Sequence, residues 1–149
     1  MRTESLEPHE HRVFLARAEE FFQAMNILLD LEERPHAAAL LGIHAVIAMN
    51  DSINVSVLGK RCRSDQHSDA SQLLQESCHQ RHLSKHNGLK YFNTVISLKS
   101  DIAYGKRFSG KQRSDVHKVL DRTTKFFSWA YQNFDTLKAE GIDTDETNT

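Results

Sequence analysis

PHAAALLGIHAVIAMNDSINVSVL, residues 35–58, is the stretch that decides the fold. Its only formally charged residue is Asp51, and apolar side chains cover nearly every side of the helix that it would form. A helix that is apolar all round is usually buried all round. At about 36 Å it is also long enough to cross a membrane, but His44 and the polar residues between 50 and 56 would each need a partner in lipid. We therefore predict a central helix with other helices packed around it, and no membrane contact.

Length and composition indicate one globular domain. The 149 residues are 39% hydrophobic and 26% charged, which is ordinary for a folded chain. The N-terminal sequence MRTESLEPHEHR lacks the apolar core of a signal peptide, and two cysteines, Cys62 and Cys78, do not make a disulfide framework. We expect a cytoplasmic protein with reduced thiols, folded as a single domain over residues 1–138 with a disordered acidic tail over 139–149.

Charge is distributed unevenly along the chain. Residues 1–34 and 139–149 each carry a net charge of −4, whereas residues 35–138 carry +7. A basic middle permits an anionic partner such as RNA or a nucleotide. A solvated surface of mixed sign would give the same counts.

Hydrophobic spacing and capping residues predict five helices and no strand. Gly59 is placed to end the central helix, Asn87-Gly88 breaks the pattern after the third, and Ser109 with Gln112 can form a capping box for the last. The predicted helices are residues 8–31, 35–58, a short one from about 68, 89–104 and 109–138. The expected fold is all-α, an up-and-down bundle of four long helices and one short helix.

The order of several motifs resembles that of the HEPN domains, the helical family named for higher eukaryotes and prokaryotes nucleotide-binding. The motifs are GIHAVIAMND at 42–51, GKR with SDQH at 59–67, LK with AYG at 98–105, and FSWA at 127–130. The resemblance spans about residues 14–134 and depends on spacing and helix order more than on any single motif. It implies a five-helix bundle that often pairs as a homodimer.

The resemblance also implies one of several functions that HEPN proteins have. Many HEPN proteins are metal-independent ribonucleases, with an Arg that is usually followed by a polar residue and a His a few residues further on, and with two sites facing each other across the dimer. Others bind nucleotides, partner a small nucleotidyltransferase in toxin–antitoxin pairs, or serve defence systems.

Three segments fit the ribonuclease pattern Arg-x(4–6)-His, about as many as chance gives with ten Arg and nine His. Arg2–His9 falls in what we expect to be a frayed N-terminus and is set aside. Arg81–His86 has the polar His82 after its Arg and precedes a helix. Arg61–His67 lies in the turn that carries the resemblance, but Cys62 follows its Arg.

An Arg and a His in this pattern have the chemistry that metal-independent RNA cleavage needs. A His is a general acid or base near neutral pH, and the planar Arg fork stabilises a phosphorane. Arg81 with His86, and Arg61 with His67, are therefore alternative catalytic pairs. The simpler account is a helix cap or surface residue for His67 and an exposed loop residue for His86.

Binding residues are predicted separately from catalytic ones. Lys60, Arg61 and Arg63 form a basic turn, and Lys99 and Tyr104 match positions that the HEPN family fills in the same way. These five residues are the predicted nucleotide- or RNA-binding set.

His44 and Asp51 are seven residues apart and can project from one face of the central helix. One interpretation is a satisfied polar network with Lys99 or Tyr104, and the other is a polar cleft for a nucleotide. We favour the network, because a buried Asp without a partner is costly.

Two further sets of residues each have a functional interpretation and a simpler structural one. Cys78, His82 and His86 would share a face of a continuous helix and could ligate zinc, but surface histidines near a loop are the simpler account. Phe126 and Trp129 fall off the main stripe of the last helix and are candidates for a self-association surface.

The function predicted from these observations is a HEPN-type module that binds a nucleotide, RNA or a protein partner, as a homodimer in a toxin–antitoxin or defence setting. The alternative is a metal-independent endoribonuclease. No cofactor or metal is expected.

Overall fold

The structure is a computed structural model that describes residues 1–31, 34–64, 66–83, 87–105 and 110–137. Within these residues it has six α-helices, which confirms the all-α class. The helices are α1 (His11–Asp30), α2 (Pro35–Leu58), α3 (His67–Gln80), α4 (Asn87–Ser97), α5 (Lys99–Tyr104) and α6 (Gly110–Asn133). A 3-10 turn over Pro8–Glu10 precedes α1. Ser109 of the predicted capping box and the tail predicted at 139–149 lie outside the described residues.

Helix α2 is the centre of the molecule, as predicted, and it contacts each of the other five α-helices. Pro35 occupies its first turn, and Gly59 ends it in the left-handed conformation (φ 69°), with its N–H donated to the Val55 carbonyl at 3.0 Å. The length and hydropathy of α2 would also suit a membrane span, but 78% of its most apolar 18-residue window is buried inside the protein. Its apolar surface is therefore buried against the neighbouring helices.

A short antiparallel ribbon joins the N-terminus to the end of α2, whereas no strand was predicted from the sequence. Strand β1 (Thr3–Ser5) pairs with β2 (Lys60–Cys62), with Glu4 opposite Arg61. Backbone bonds of 2.8 Å from Leu6 N–H to the Gly59 carbonyl and from Arg63 N–H to the Arg2 carbonyl extend the pairing at both ends. The expectation of a frayed N-terminus was wrong, because this segment is anchored by backbone hydrogen bonds.

The predicted fourth helix is two helices. Leu98 separates α4 from α5, and its N–H reaches back only three residues, to the Val95 carbonyl at 3.2 Å. A bond of this shorter type tightens the turn and changes the direction of the chain. It carries α5 against α2, where Lys99 begins the new helix.

Asn87-Gly88, predicted as a breaker, lies inside the first turn of α4. A Cβ at Gly88 would lie 2.2 Å from ring atoms of Trp129, so glycine is needed here for close approach of α4 to α6. Trp129 in turn stacks on Phe126, with ring centroids 5.7 Å apart.

The proposed self-association surface was therefore wrong. Phe126 is fully buried and Trp129 is 8% exposed, because α4 covers the side of α6 that the helical periodicity left unpartnered. The large apolar residues that are exposed include Val13 and Ile27 on α1 and Leu31 directly after it.

Candidate functional site

A pocket of about 350 Å³ opens between α2, α5 and the segment that leads from β2 into α3. One wall is apolar, and the rest carries amide, carboxylate, hydroxyl, thiol and ammonium groups. The lining residues are Ile47, Asn50, Asp51, Cys62, Ser64, Gln66, Ala70, Phe92, Ile96, Lys99, Ser100 and Tyr104. A mostly formed cavity with an apolar wall and a few convergent polar groups is the usual form of a small-molecule site.

Asn50 and Asp51 supply the polar groups that α2 brings to this pocket. Asn50 is 2% exposed, and its side-chain oxygen is buried with no hydrogen-bond partner in the part of the chain that the structure describes. Burial raises the pKa of Asp51 to about 6, against the opposing effect of the nearby Arg61 guanidinium. A carboxyl with a perturbed pKa that lines a pocket is typical of a functional site.

Arg61 is held by groups of the protein itself. Its Nε donates to the Glu4 carboxylate at 2.7 Å, and its Nη1 lies 3.5 Å from Asp51 Oδ2. The guanidinium also lies over the Phe14 ring, 4.8 Å from the centroid, which adds a cation–π contact. The hydrogen bond from Arg61 lowers the pKa of Glu4, so this carboxylate stays charged and keeps its partner.

The predicted network of His44 and Asp51 with Lys99 or Tyr104 does not form. His44 is exposed and rests against Phe21, with ring centroids 5.6 Å apart, while the ion-pair partner of Asp51 is Arg61. The cause is the β1–β2 ribbon, which turns Arg61 back toward α2.

Lys99 and Tyr104 line the same pocket as Asp51, so α5 brings together two of the five predicted binding residues. Lys99 is half-buried at the start of α5, and Tyr104 is 80% exposed at its end. An ammonium and an exposed ring thus lie at one pocket, which is the pairing that phosphate and base contacts use.

The side chains of the basic turn, Lys60, Arg61 and Arg63, lie in different environments. Lys60 pairs through its backbone with Ser5 in the ribbon, and Arg63 Nη1 lies 3.5 Å from the Glu4 carboxylate. Glu4 therefore faces both arginines and offsets part of the positive charge that was expected to be free.

Of the two predicted Arg–His pairs, the structure describes the side chains of the arginines alone. His86 lies outside them, and His67 is described by its backbone alone, at the start of α3. Arg81 is an exposed residue at the end of α3. The guanidinium of Arg61 is engaged by Glu4 and Asp51, which disfavours it as a free phosphate ligand.

The zinc interpretation loses its geometric basis. Helix α3 ends at Gln80, and His82 takes a left-handed backbone (φ 56°), so Cys78 and His82 do not share a face of one helix. Cys78 is fully buried, and burial raises the pKa of its thiol to about 11. Among the residues described, no group of three or more His, Cys, Asp or Glu is arranged to hold a metal ion.

Sequence reasoning missed Asn50, Ser100, Cys62 and Glu4 as parts of this region. The polar run at 50–52 inside an apolar helix was a usable signal for Asn50. The positions of the other three depend on the ribbon and on the break at Leu98, which have no clear pattern in the sequence.

Comparisons with protein-family models, with curated proteins and with solved structures found no significant match for this chain. Its function has to be argued from the pocket.

Proposed function

We propose that this chain is a nucleotide-binding helical module of HEPN type, with the pocket between α2 and α5 as its binding site. The observation that carries the proposal is that Asp51, Lys99 and Tyr104 line one pocket. A nucleotide has a hydrogen-bonding base edge, an aromatic face and an anionic phosphate. The pocket offers a partner for each, namely a carboxylate, an exposed ring and an ammonium.

The apolar wall supports the same assignment. Phe92 and Ile96 are at most 4% exposed and close the side of the pocket that α4 contributes. A flat base packs against such a wall on one face and leaves its other face for a ring such as Tyr104, and base–aromatic stacking contributes about 1–3 kcal/mol.

Isothermal titration of nucleoside monophosphates, in EDTA, tests the proposal. A charge-assisted phosphate contact contributes about 1.5–3 kcal/mol, so we expect Lys99→Gln to weaken binding about tenfold or more. Tyr104→Ala should weaken it to a similar degree. Lys90→Gln, which removes an exposed lysine of α4, is the matched control and should bind like the wild type.

Two results would contradict this function. One is a wild type that binds no nucleotide at millimolar concentration. The other is a loss of affinity in Lys90→Gln equal to that in Lys99→Gln, since binding would then depend on overall charge and not on the pocket.

The assembly is part of the same proposal. An up-and-down arrangement of the helices, pairing into a homodimer, and a nucleotidyltransferase-type protein partner in a cytoplasmic toxin–antitoxin or defence system follow from the HEPN resemblance. Sedimentation velocity over a hundredfold range of concentration tests the dimer, and a single monomeric species throughout would refute it.

A further inference from the structure

Two consecutive residues of α2 that line the pocket, Asn50 and Asp51, carry hydrogen-bond acceptors that the protein leaves incompletely used. Asn50 is almost fully buried, and its amide oxygen has no partner within the described residues. Next to it in the sequence, Asp51 shares Oδ2 with Arg61 over a long 3.5 Å contact. A carboxylate has about four acceptor positions, so Asp51 retains capacity for further donors.

An unsatisfied buried acceptor selects for a ligand that brings donors. Burying such a group without a partner is costly, and a bound N–H removes that cost. A carboxylate with unused acceptor positions on both oxygens favours a ligand edge that presents more than one N–H.

Among the common bases, guanine presents two neighbouring donors on its Watson–Crick edge, N1–H and the N2 amino group. Adenine presents one amino group beside an acceptor, and uracil places its single N–H between two acceptors. Two parallel N–H groups match the two oxygens of a carboxylate, as a bidentate Arg does. Enzymes that bind an unpaired base read it through this same edge.

We propose that guanine nucleotides are the preferred ligands of the pocket, with the Asp51 carboxylate and the Asn50 amide as the groups that read the base. In this arrangement Lys99 contacts the phosphate and Tyr104 stacks on the base. The inference rests on the proposed nucleotide binding and adds the identity of the base to it.

Titrations with GMP, IMP and AMP test it, because IMP differs from GMP only by the missing N2 amino group. We expect the wild type to bind GMP about tenfold or more tightly than IMP, since a lost charge-assisted bond leaves an acceptor unpaired. Asp51→Asn should reduce the GMP preference to less than about threefold. Asp101→Asn, which changes an exposed carboxylate of α5, is the matched control and should keep it.

The outcomes separate this inference from the function on which it rests. Equal affinities for the three nucleotides, unchanged in Asp51→Asn, would overturn base recognition and leave nucleotide binding intact. If the wild type binds none of them, nucleotide binding itself fails. Should Asp51→Asn not fold, the GMP-to-IMP ratio of the wild type decides alone, and a ratio near one overturns the inference.

Discussion

Asp51 lines the pocket and also makes the stability of the folded protein depend on pH. It is the only charge in a buried helix, and burial raises its pKa from 3.8 to about 6 even with Arg61 beside it. Compared with the unfolded chain, the folded protein therefore holds the proton of Asp51 up to a higher pH. The contribution of Asp51 to stability is fully present below about pH 4 and declines as the pH rises to about 6.

Asp51→Asn removes this dependence, and that change can be measured. The unfolding free energy of the variant minus that of the wild type should rise between pH 4 and 6, by up to about 3 kcal/mol, and then level off. Urea titrations at several pH values give this difference directly. Asp101→Asn is the control, and a flat difference for Asp51→Asn would mean that its carboxyl is not buried as described.

The elements of the fold were predictable where their signals are local. Helix α2 has its predicted bounds because Pro35 and Gly59 mark its ends and its apolar composition marks its burial. The β1–β2 ribbon was not predictable, because three-residue strands show no periodicity and their facing residues Glu4 and Arg61 are 57 positions apart. The break at Leu98 was missed for a related reason, since helical spacing continues through it.

The contact between α4 and α6 gives a second test. Gly88→Ala would place a methyl group 2.2 Å from the Trp129 ring, so we expect a loss of about 1–3 kcal/mol in the unfolding free energy. Combining it with Trp129→Leu should remove most of that added cost, because the smaller side chain leaves room for the methyl group. Denaturant unfolding followed by circular dichroism measures both. If Gly88→Ala costs the same in both backgrounds, the close approach of the two helices is not its cause.

At the scale of the whole molecule, the helical class was predictable from the sequence, and the site only in part. Lys99 and Tyr104 were singled out from the resemblance, but the grouping with Asp51 and Asn50 needs the packing of α5 against α2. Arg61 was predicted to bind an anionic ligand, and the ribbon instead gives it Glu4 as a partner within the chain. Such contacts between distant segments are set by tertiary packing and leave little trace in local patterns.

Whether the protein cleaves RNA also depends on how distant segments of the chain pack together. We expect RNA incubated with the wild type in EDTA to stay intact, because the Arg61 guanidinium is already engaged by Glu4 and Asp51 and Arg81 is an exposed residue at the end of α3. Gel analysis of a mixed RNA substrate at micromolar protein measures this. Cleavage that is lost in only one of His67→Ala and His86→Ala would instead establish the metal-independent endoribonuclease.

Cys62 permits the most direct test of the central claim, that the pocket binds a nucleotide. Cys62 lines the pocket and is partly exposed, whereas Cys78, the other cysteine, is fully buried with a raised pKa. The measurement is the rate of Cys62 alkylation, followed by intact mass spectrometry, with and without millimolar GMP. We predict that GMP slows the reaction at least fivefold in the wild type and in Lys90→Gln but not in Lys99→Gln. An unchanged rate in the wild type would contradict nucleotide binding at this pocket.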